Sequence, residues 1–101
     1  MKDNKLKRLS DHSEEVSRVL KVIAHPARLL ILSDLREGEK TVGQLVELLG
    51  IPQTTVSQHL AALRAGGAVS SRRSRQLVYY SISEPVFLSV LDLVLSHQQE
   101  S

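Results

Sequence analysis

The sequence predicts a mainly α-helical domain with one small β-hairpin, and three observations support this class. Apolar residues recur at helical spacing in several segments. The apolar residues are mostly aliphatic, since the chain has one Phe and no Trp, and aliphatic stripes favour packed helices. Residues 69–82 have the alternation of a strand pair. A chain of 101 residues holds one core, so we expect a single domain over residues 10–101.

The first two helices are separated by a proline. Residues 1–9 are polar and basic, and we expect a flexible arm or a frayed helix start there. Asp11 and Glu14 have the spacing of a capping box, and helical periodicity follows to about Ala24. Pro26 suits the first turn of a second helix, which ends near the Glu37-Gly38 pair.

Two short helices follow with a tight connection. Thr41 and Gln44 have the spacing of a second capping box, and Gly50 is placed to end the third helix. The fourth helix begins about three residues later, and its apolar stripe contains Val56, Leu60 and Leu63. Such a pair of helices predicts a helix-turn-helix.

A β-hairpin follows the glycines at 66 and 67. Residues 69–71 and 77–82 predict two strands, and residues 72–76 a polar turn that contains three arginines. The chain therefore predicts a winged helix-turn-helix, with about five helices and a two-stranded wing.

Charge is unevenly distributed along the chain. No Asp or Glu lies between Glu47 and Glu84, and this stretch contains four arginines, so its formal charge is +4. The remainder has 9 basic and 11 acidic residues, a charge of −2. A polyanion such as double-stranded DNA would be attracted to the acid-free stretch.

The last helix, from about Glu84 to Gln98, has apolar residues on more than one face. A domain of this size can hardly enclose such a helix, so we expect a homodimer joined by the first and last helices. The predicted interface residues are Val16, Val19, Leu20, Ile23, Phe87, Leu88, Leu91, Val94 and Leu95.

Three blocks carry a family resemblance: residues 24–32 (AHPARLLIL), residues 53–60 (QTTVSQHL) with Leu63-Arg64, and residues 78–81 (VYYS). Together they resemble the ArsR (arsenic-repressor) family of bacterial winged-helix repressors. Residues 37–45 are most similar to the branch of that family that contains dithiol sensors of reactive sulfur. The resemblance implies a repressor. The two-fold axis of the expected homodimer then predicts an operator that is an inverted repeat, and we expect the protein in the cytoplasm because no signal peptide or membrane-spanning run is visible.

In a winged helix-turn-helix, the second helix of the motif enters the major groove. The expected DNA-binding residues are Gln53, Thr54, Thr55, Ser57, Gln58, His59, Arg64, Arg72, Arg73 and Arg75. Gln58 is the strongest candidate for a base contact, because its amide matches N6 and N7 of adenine. His59 lies nearer the apolar stripe, which favours packing or a phosphate bond. The arginines are expected to contact phosphates or the minor groove, or else to form a solvated basic hairpin.

The sensor positions of related repressors are altered here. The dithiol sensors carry one cysteine in the second helix and one near the end of the last, and these positions correspond to Ser33 and, within residues 96–99, to Ser96. The chain has no cysteine, so it cannot form a persulfide or disulfide; it is either a naturally cysteine-free member or a Cys-to-Ser variant. His97 and Glu100 match half of a family metal site, too few ligands for zinc.

Other functional classes find less support in the sequence. No Gly-rich phosphate loop, carboxylate pair or nucleophile with an adjacent base indicates an enzyme. We expect no cofactor, and no residue set identifies an inducer. No apolar run is long enough to cross a membrane. The open alternative is a protein-interaction or dimerisation module, because the same architecture serves such roles.

Overall fold

The structure, a computed structural model, describes the backbone of residues 2–99 and the side chains of residues 6–8 and 10–96. The described part contains five helices: α1 (Lys2–Ile23), α2 (Pro26–Leu35), α3 (Val42–Leu49), α4 (Gln53–Ala65) and α5 (Pro85–Gln99). It also contains three strands: β1 (Lys40–Thr41), β2 (Val69–Ser74) and β3 (Leu77–Ile82). The predicted mainly helical class with a small hairpin is confirmed. None of the described helices has the length and apolar character of a membrane span.

The first helix begins earlier than the sequence predicts. α1 starts at Lys2, so Asp11 and Glu14 lie inside it and do not cap its start. The chain then turns at His25, whose Nδ1 accepts a hydrogen bond from the backbone N–H of Ala27 at 3.1 Å. This bond and Pro26 at the first helical position begin α2.

Local signals define the two helices of the helix-turn-helix. The Thr41 hydroxyl accepts from the Gln44 backbone N–H at 3.3 Å, and the side-chain Oε1 of Gln44 accepts from the Thr41 backbone N–H at 2.8 Å. This is the predicted capping box. Gly50 ends α3 with a left-handed φ of 66°, which an L side chain rarely adopts. The Thr55 and Val56 N–H groups then bond to the Pro52 carbonyl and begin α4.

The wing is a longer hairpin than predicted and belongs to a three-stranded antiparallel sheet of order β1-β3-β2. Its turn is only Arg75 and Gln76, since Ser74 pairs with Leu77. The prediction that the turn spans residues 72–76 is therefore wrong, and Arg72 and Arg73 lie on β2. The missed strand β1 pairs Thr41 with Tyr79, so the sheet is joined directly to the cap of α3.

The core divides the predicted dimer residues into two groups. Val19, Ile23, Phe87 and Leu91 are buried within one protomer, with Phe87 fully inaccessible. We therefore correct the prediction that placed them at the dimer surface. Helical periodicity identifies an apolar stripe, but it does not show whether the same protomer or a partner covers that stripe. Of the remaining predicted positions, Leu95 is half-buried. The other four are exposed: Val16, Leu20, Leu88 and Val94.

Candidate nucleic-acid interface

The outward face of α4 is polar, small and uncharged over its first turns. Val56, Leu60 and Leu63 are buried against the core, which directs the opposite side of the helix to solvent. This exposed face contains Gln53, Thr54, Ser57, Gln58 and Ala61, with Thr55 half-buried at its edge. A helix of about 10–12 Å diameter fits the major groove of about 12 Å width, provided that its outer side chains are small.

The start of α4 suits an approach to an anion. Its N-cap is Pro52, which supplies no side-chain cap, and its first turn contains no acidic residue. The first backbone N–H groups of a helix lack intrahelical partners and carry the positive end of the helix dipole. At this end of α4 they are left without a side-chain acceptor.

His59 is half-buried and faces the rest of the protein, not solvent. Its Nδ1 accepts a hydrogen bond from Nε of Arg28 at 3.3 Å, and its ring lies 4.4 Å from the ring of His25, centroid to centroid. Burial, followed by the charges of His25 and Arg28, lowers the pKa of His59. Packing or a phosphate bond is the role predicted for His59 ahead of a base contact, and these contacts are of the packing kind.

Arg72 forms an ion pair with Glu39 and packs on the ring of Tyr79. Its Nε donates to Oε2 of Glu39 at 2.9 Å, and its Nη2 donates to Oε1 of the same carboxylate. Its guanidinium also lies 4.7 Å from the centre of the Tyr79 ring. The bond from Arg72 lowers the pKa of Glu39. Glu39 comes directly before β1, which pairs with β3 next to the strand that carries Arg72.

Three other arginines of the acid-free stretch form none of the described ion pairs: Arg64, Arg73 and Arg75. All three are exposed. Arg75 occupies the hairpin turn with a positive φ of 59°. The wing is fixed relative to α4, because the Ala68 N–H donates to the Leu63 carbonyl at 2.8 Å and β2 contacts α4.

Sequence reasoning missed Glu39 and Arg28 as partners of predicted site residues. Glu39 lies outside the acid-free stretch in sequence but reaches it through the pairing of β1 with β3. Arg28 lies in the block that resembles the family's second helix, and that block was the available signal. A charge count along the chain cannot detect either contact.

Exposed apolar side chains of α1 and α5 lie around one groove. This groove, of about 280 Å³, is lined by His12, Glu15, Val16, Val19, Leu20, Val86 and Val90. Leu20 is 53% exposed and Val94, further along α5, is 43% exposed. Apolar side chains exposed next to one another on a small domain mark a surface that another protein covers.

Ser33 lies in a second cleft, between α2 and α5. The cleft has a volume of about 340 Å³ and is otherwise lined by Pro26, Leu29, Leu30, Leu91, Val94 and Leu95. Ser96 is exposed. His97 and Glu100, which match half of a family metal site, lie outside the described side chains. Within the described residues, no group of three His, Asp or Glu side chains is placed to hold a metal ion.

Comparison with known proteins identifies the family of this fold. Residues 25–71 match the family model described as "Bacterial regulatory protein, arsR family". The biofilm growth-associated repressor of Xylella fastidiosa is 40% identical over 76 residues, which are 75% of this chain and 67% of that protein. The chain belongs to the arsR family.

Two solved structures resemble this arsR-family chain along most of its length. The transcriptional repressor BigR from Xylella fastidiosa has a TM-score of 0.85 at 33% identity, covering 89% of this chain and 92% of that one. The homodimeric winged helix-turn-helix DNA-binding domain of Mb0332 from Mycobacterium bovis has a TM-score of 0.78 at 34% identity, covering 92% and 86%. The winged helix-turn-helix architecture is thus shown, and the chain is a regulator of the arsR type.

Proposed function

We propose that this arsR-family regulator is a cytoplasmic repressor that binds an inverted-repeat operator in double-stranded DNA as a homodimer. The outward face of α4 carries the proposal. It is exposed, small and free of acidic residues, and the arginine-bearing wing is fixed directly after it. An enzyme or a protein-docking helix has no need of this combination, whereas a helix that enters the major groove requires it.

Gln58 makes the proposed base contact. Its side chain is exposed, and it forms no hydrogen bond to another described residue, so its amide is available to N6 and N7 of adenine. The hydroxyls of Thr55 and Ser57 supply phosphate bonds or less selective base contacts. The exposed methyl of Ala61 allows the helix to approach the groove closely and can contact a thymine methyl group.

The dimer arises from the exposed apolar residues of α1 and α5. Val16, Leu20, Leu88 and Val94 are predicted to pack on their symmetry mates, with the groove between the two helices as the centre of the interface. A two-fold axis presents two copies of α4 to DNA, and two half-sites about one helical turn apart follow from that symmetry. Repression results where such a site overlaps a promoter, because the bound dimer excludes polymerase.

Selection of bound sequences from random duplexes at moderate salt tests the proposal. The wild-type protein should enrich an inverted repeat. Gln58→Ala should lose preference at one base position in each half-site, at a cost of about 1–3 kcal/mol per position. Gln58→Glu keeps the side-chain size and should shift the preference at the same position toward cytosine, whose N4 donates to a carboxylate.

Two outcomes would contradict this proposal. Enrichment of no inverted repeat by the wild-type protein would favour a protein-interaction module. An unchanged half-site preference for both Gln58 variants would move the base contact to another residue of α4. Ser89→Ala on α5 is the matched control, since it removes an exposed polar group far along the chain from α4 and should leave the selected sequence unchanged.

A further inference from the structure

The recognition helix α4 is tied to α1 by two arginines. Arg28, in the first turn of α2, donates through Nε to His59 of α4 at 3.3 Å and through Nη1 to the carbonyl of Val22 at 3.3 Å. Val22 belongs to the last turn of α1. One guanidinium therefore joins the end of α1 to the middle of α4.

The second arginine joins α1 to the end of α4. Arg18 of α1 donates through Nη1 to the carbonyl of Gly66, the C-cap of α4. Its other bonds reach the carboxylate of Glu84, at 3.4 Å for Nη2 and 3.5 Å for Nη1. Gly66 is also in close contact with α1, because a Cβ at this position would overlap the side chain of Val22.

These contacts differ from ordinary core packing in their geometry. Guanidinium groups form directional bonds in a planar fork, so each arginine sets an orientation and not only a distance. The same helix that carries Arg18 also carries the exposed Val16 and Leu20 of the proposed dimer surface. A displacement of α1 would therefore act on the groups that bond α4 at its middle and at its end.

We propose that Arg18 and Arg28 are positioning residues that couple the dimer helix α1 to the recognition helix α4, and so set the spacing between half-sites that the dimer accepts. This inference rests on the proposed function. The two arginines do not contact DNA; they fix the orientation of α4 relative to α1 within each protomer. Loss of the bonds of either arginine leaves the base contacts within each half-site intact, but it makes the distance and orientation between the two α4 helices of the dimer less well defined.

The DNA experiment uses libraries of the selected half-site arranged as inverted repeats with variable spacers. Wild-type protein should prefer one spacing. Arg28→Gln and Arg18→Gln should reduce the discrimination against a spacer one base pair longer by roughly 5-fold or more, the low end of measured coupling between sites. Base preference within the half-site should remain. Arg28→Lys keeps the charge but not the planar fork, and should behave as Arg28→Gln does.

Two controls separate coupling from charge and from stability. Arg64→Gln removes an exposed guanidinium from the end of α4, and it should reduce the salt dependence of binding without broadening the accepted spacing. Arg36→Gln removes a comparable bond between elements, since Arg36 pairs with Asp92 of α5 at 2.6 Å, and none of the described hydrogen bonds of Arg36 reaches α4. It should leave the spacing preference narrow.

Hydrogen exchange in the absence of DNA supplies an independent readout. Arg18→Gln and Arg28→Gln should speed exchange of the α4 amides relative to those of α3, whereas Arg36→Gln should not. If wild-type protein selects an inverted repeat and both variants keep its narrow spacing, the coupling is refuted and the proposed function stands. If no inverted repeat is selected, the proposed function fails, and unchanged α4 exchange in the variants would then refute the coupling as well.

Discussion

Replacement of Arg73 by alanine tests whether the wing contacts DNA phosphates. Arg73 is exposed on β2 and takes part in none of the described ion pairs. Removal of one phosphate contact lowers the slope of log affinity against log salt by about 0.9, so the two copies in a dimer should lower it by about 1.8. Over the range from about 50 to 200 mM salt, this difference makes the affinity of the variant roughly 12-fold less sensitive to salt.

The assay is a titration of labelled operator at several salt concentrations. Arg73→Ala should weaken binding to all sequences alike, because a phosphate contact carries no base information. Arg8→Ala is the charge control. Arg8 is an exposed arginine of α1 outside the acid-free stretch, and its replacement should leave the slope unchanged.

Arg72→Ala provides the comparison that the structure makes informative. Arg72 is the neighbour of Arg73 on β2, but its guanidinium is bonded to Glu39 and stacked on Tyr79. We therefore expect Arg72→Ala to change the slope by less than one contact per protomer. Equal slopes for the two variants would refute the reasoning, since the ion pair with Glu39 would then have to open on DNA. An unchanged slope for Arg73→Ala would remove the wing from the interface.

Two further predictions concern the core and pH. Phe87→Ala should lower the free energy of unfolding by about 3–5 kcal/mol, measured by denaturant titration, whereas Val94→Ala should mainly raise the dimer dissociation constant; the reverse result would return Phe87 to the interface. The pKa of His59 is lowered by burial and by the charges of His25 and Arg28, so the unfolded chain binds the proton more tightly. Stability should therefore be full above the ordinary value of 6.5 and fall as pH drops from there through the lower folded pKa. His59→Gln should flatten the dependence of the melting temperature on pH in that window, and an unaltered profile would assign the titration to another group.

The helix-turn-helix was predictable because its signals are local. The capping box of Thr41 and Gln44 needs only four consecutive residues, and Gly50 ends α3 through its own backbone conformation. The stripe of Val56 and Leu60 follows from helical geometry alone. For such elements, the sequence contains the complete physical cause.

The ion pairs of the site could not be predicted, because their causes are tertiary. Glu39 and Arg72 are brought together only by the strand order β1-β3-β2, and β1 has two residues, too few for any alternation to be visible. Arg28 and His59 meet because α2 and α4 pack together. The stretch between Glu47 and Glu84 contains no acidic residue. In the fold, however, one of its four arginines, Arg72, is bonded to the carboxylate of Glu39, which lies outside that stretch.

The dimer surface shows why periodicity alone divides residues incorrectly. α5 has apolar residues on several faces, so any stripe through it satisfies the helical period. Folding selects one stripe: Phe87 and Leu91 are four residues apart and both enter the core. Leu88 and Val94 then remain exposed on other sides of the same helix. A second apolar face that the protomer cannot bury has a cost in water that only a partner removes. We therefore expect the dimer surface to be formed by the apolar residues that the core leaves exposed, and not by Phe87 and Leu91.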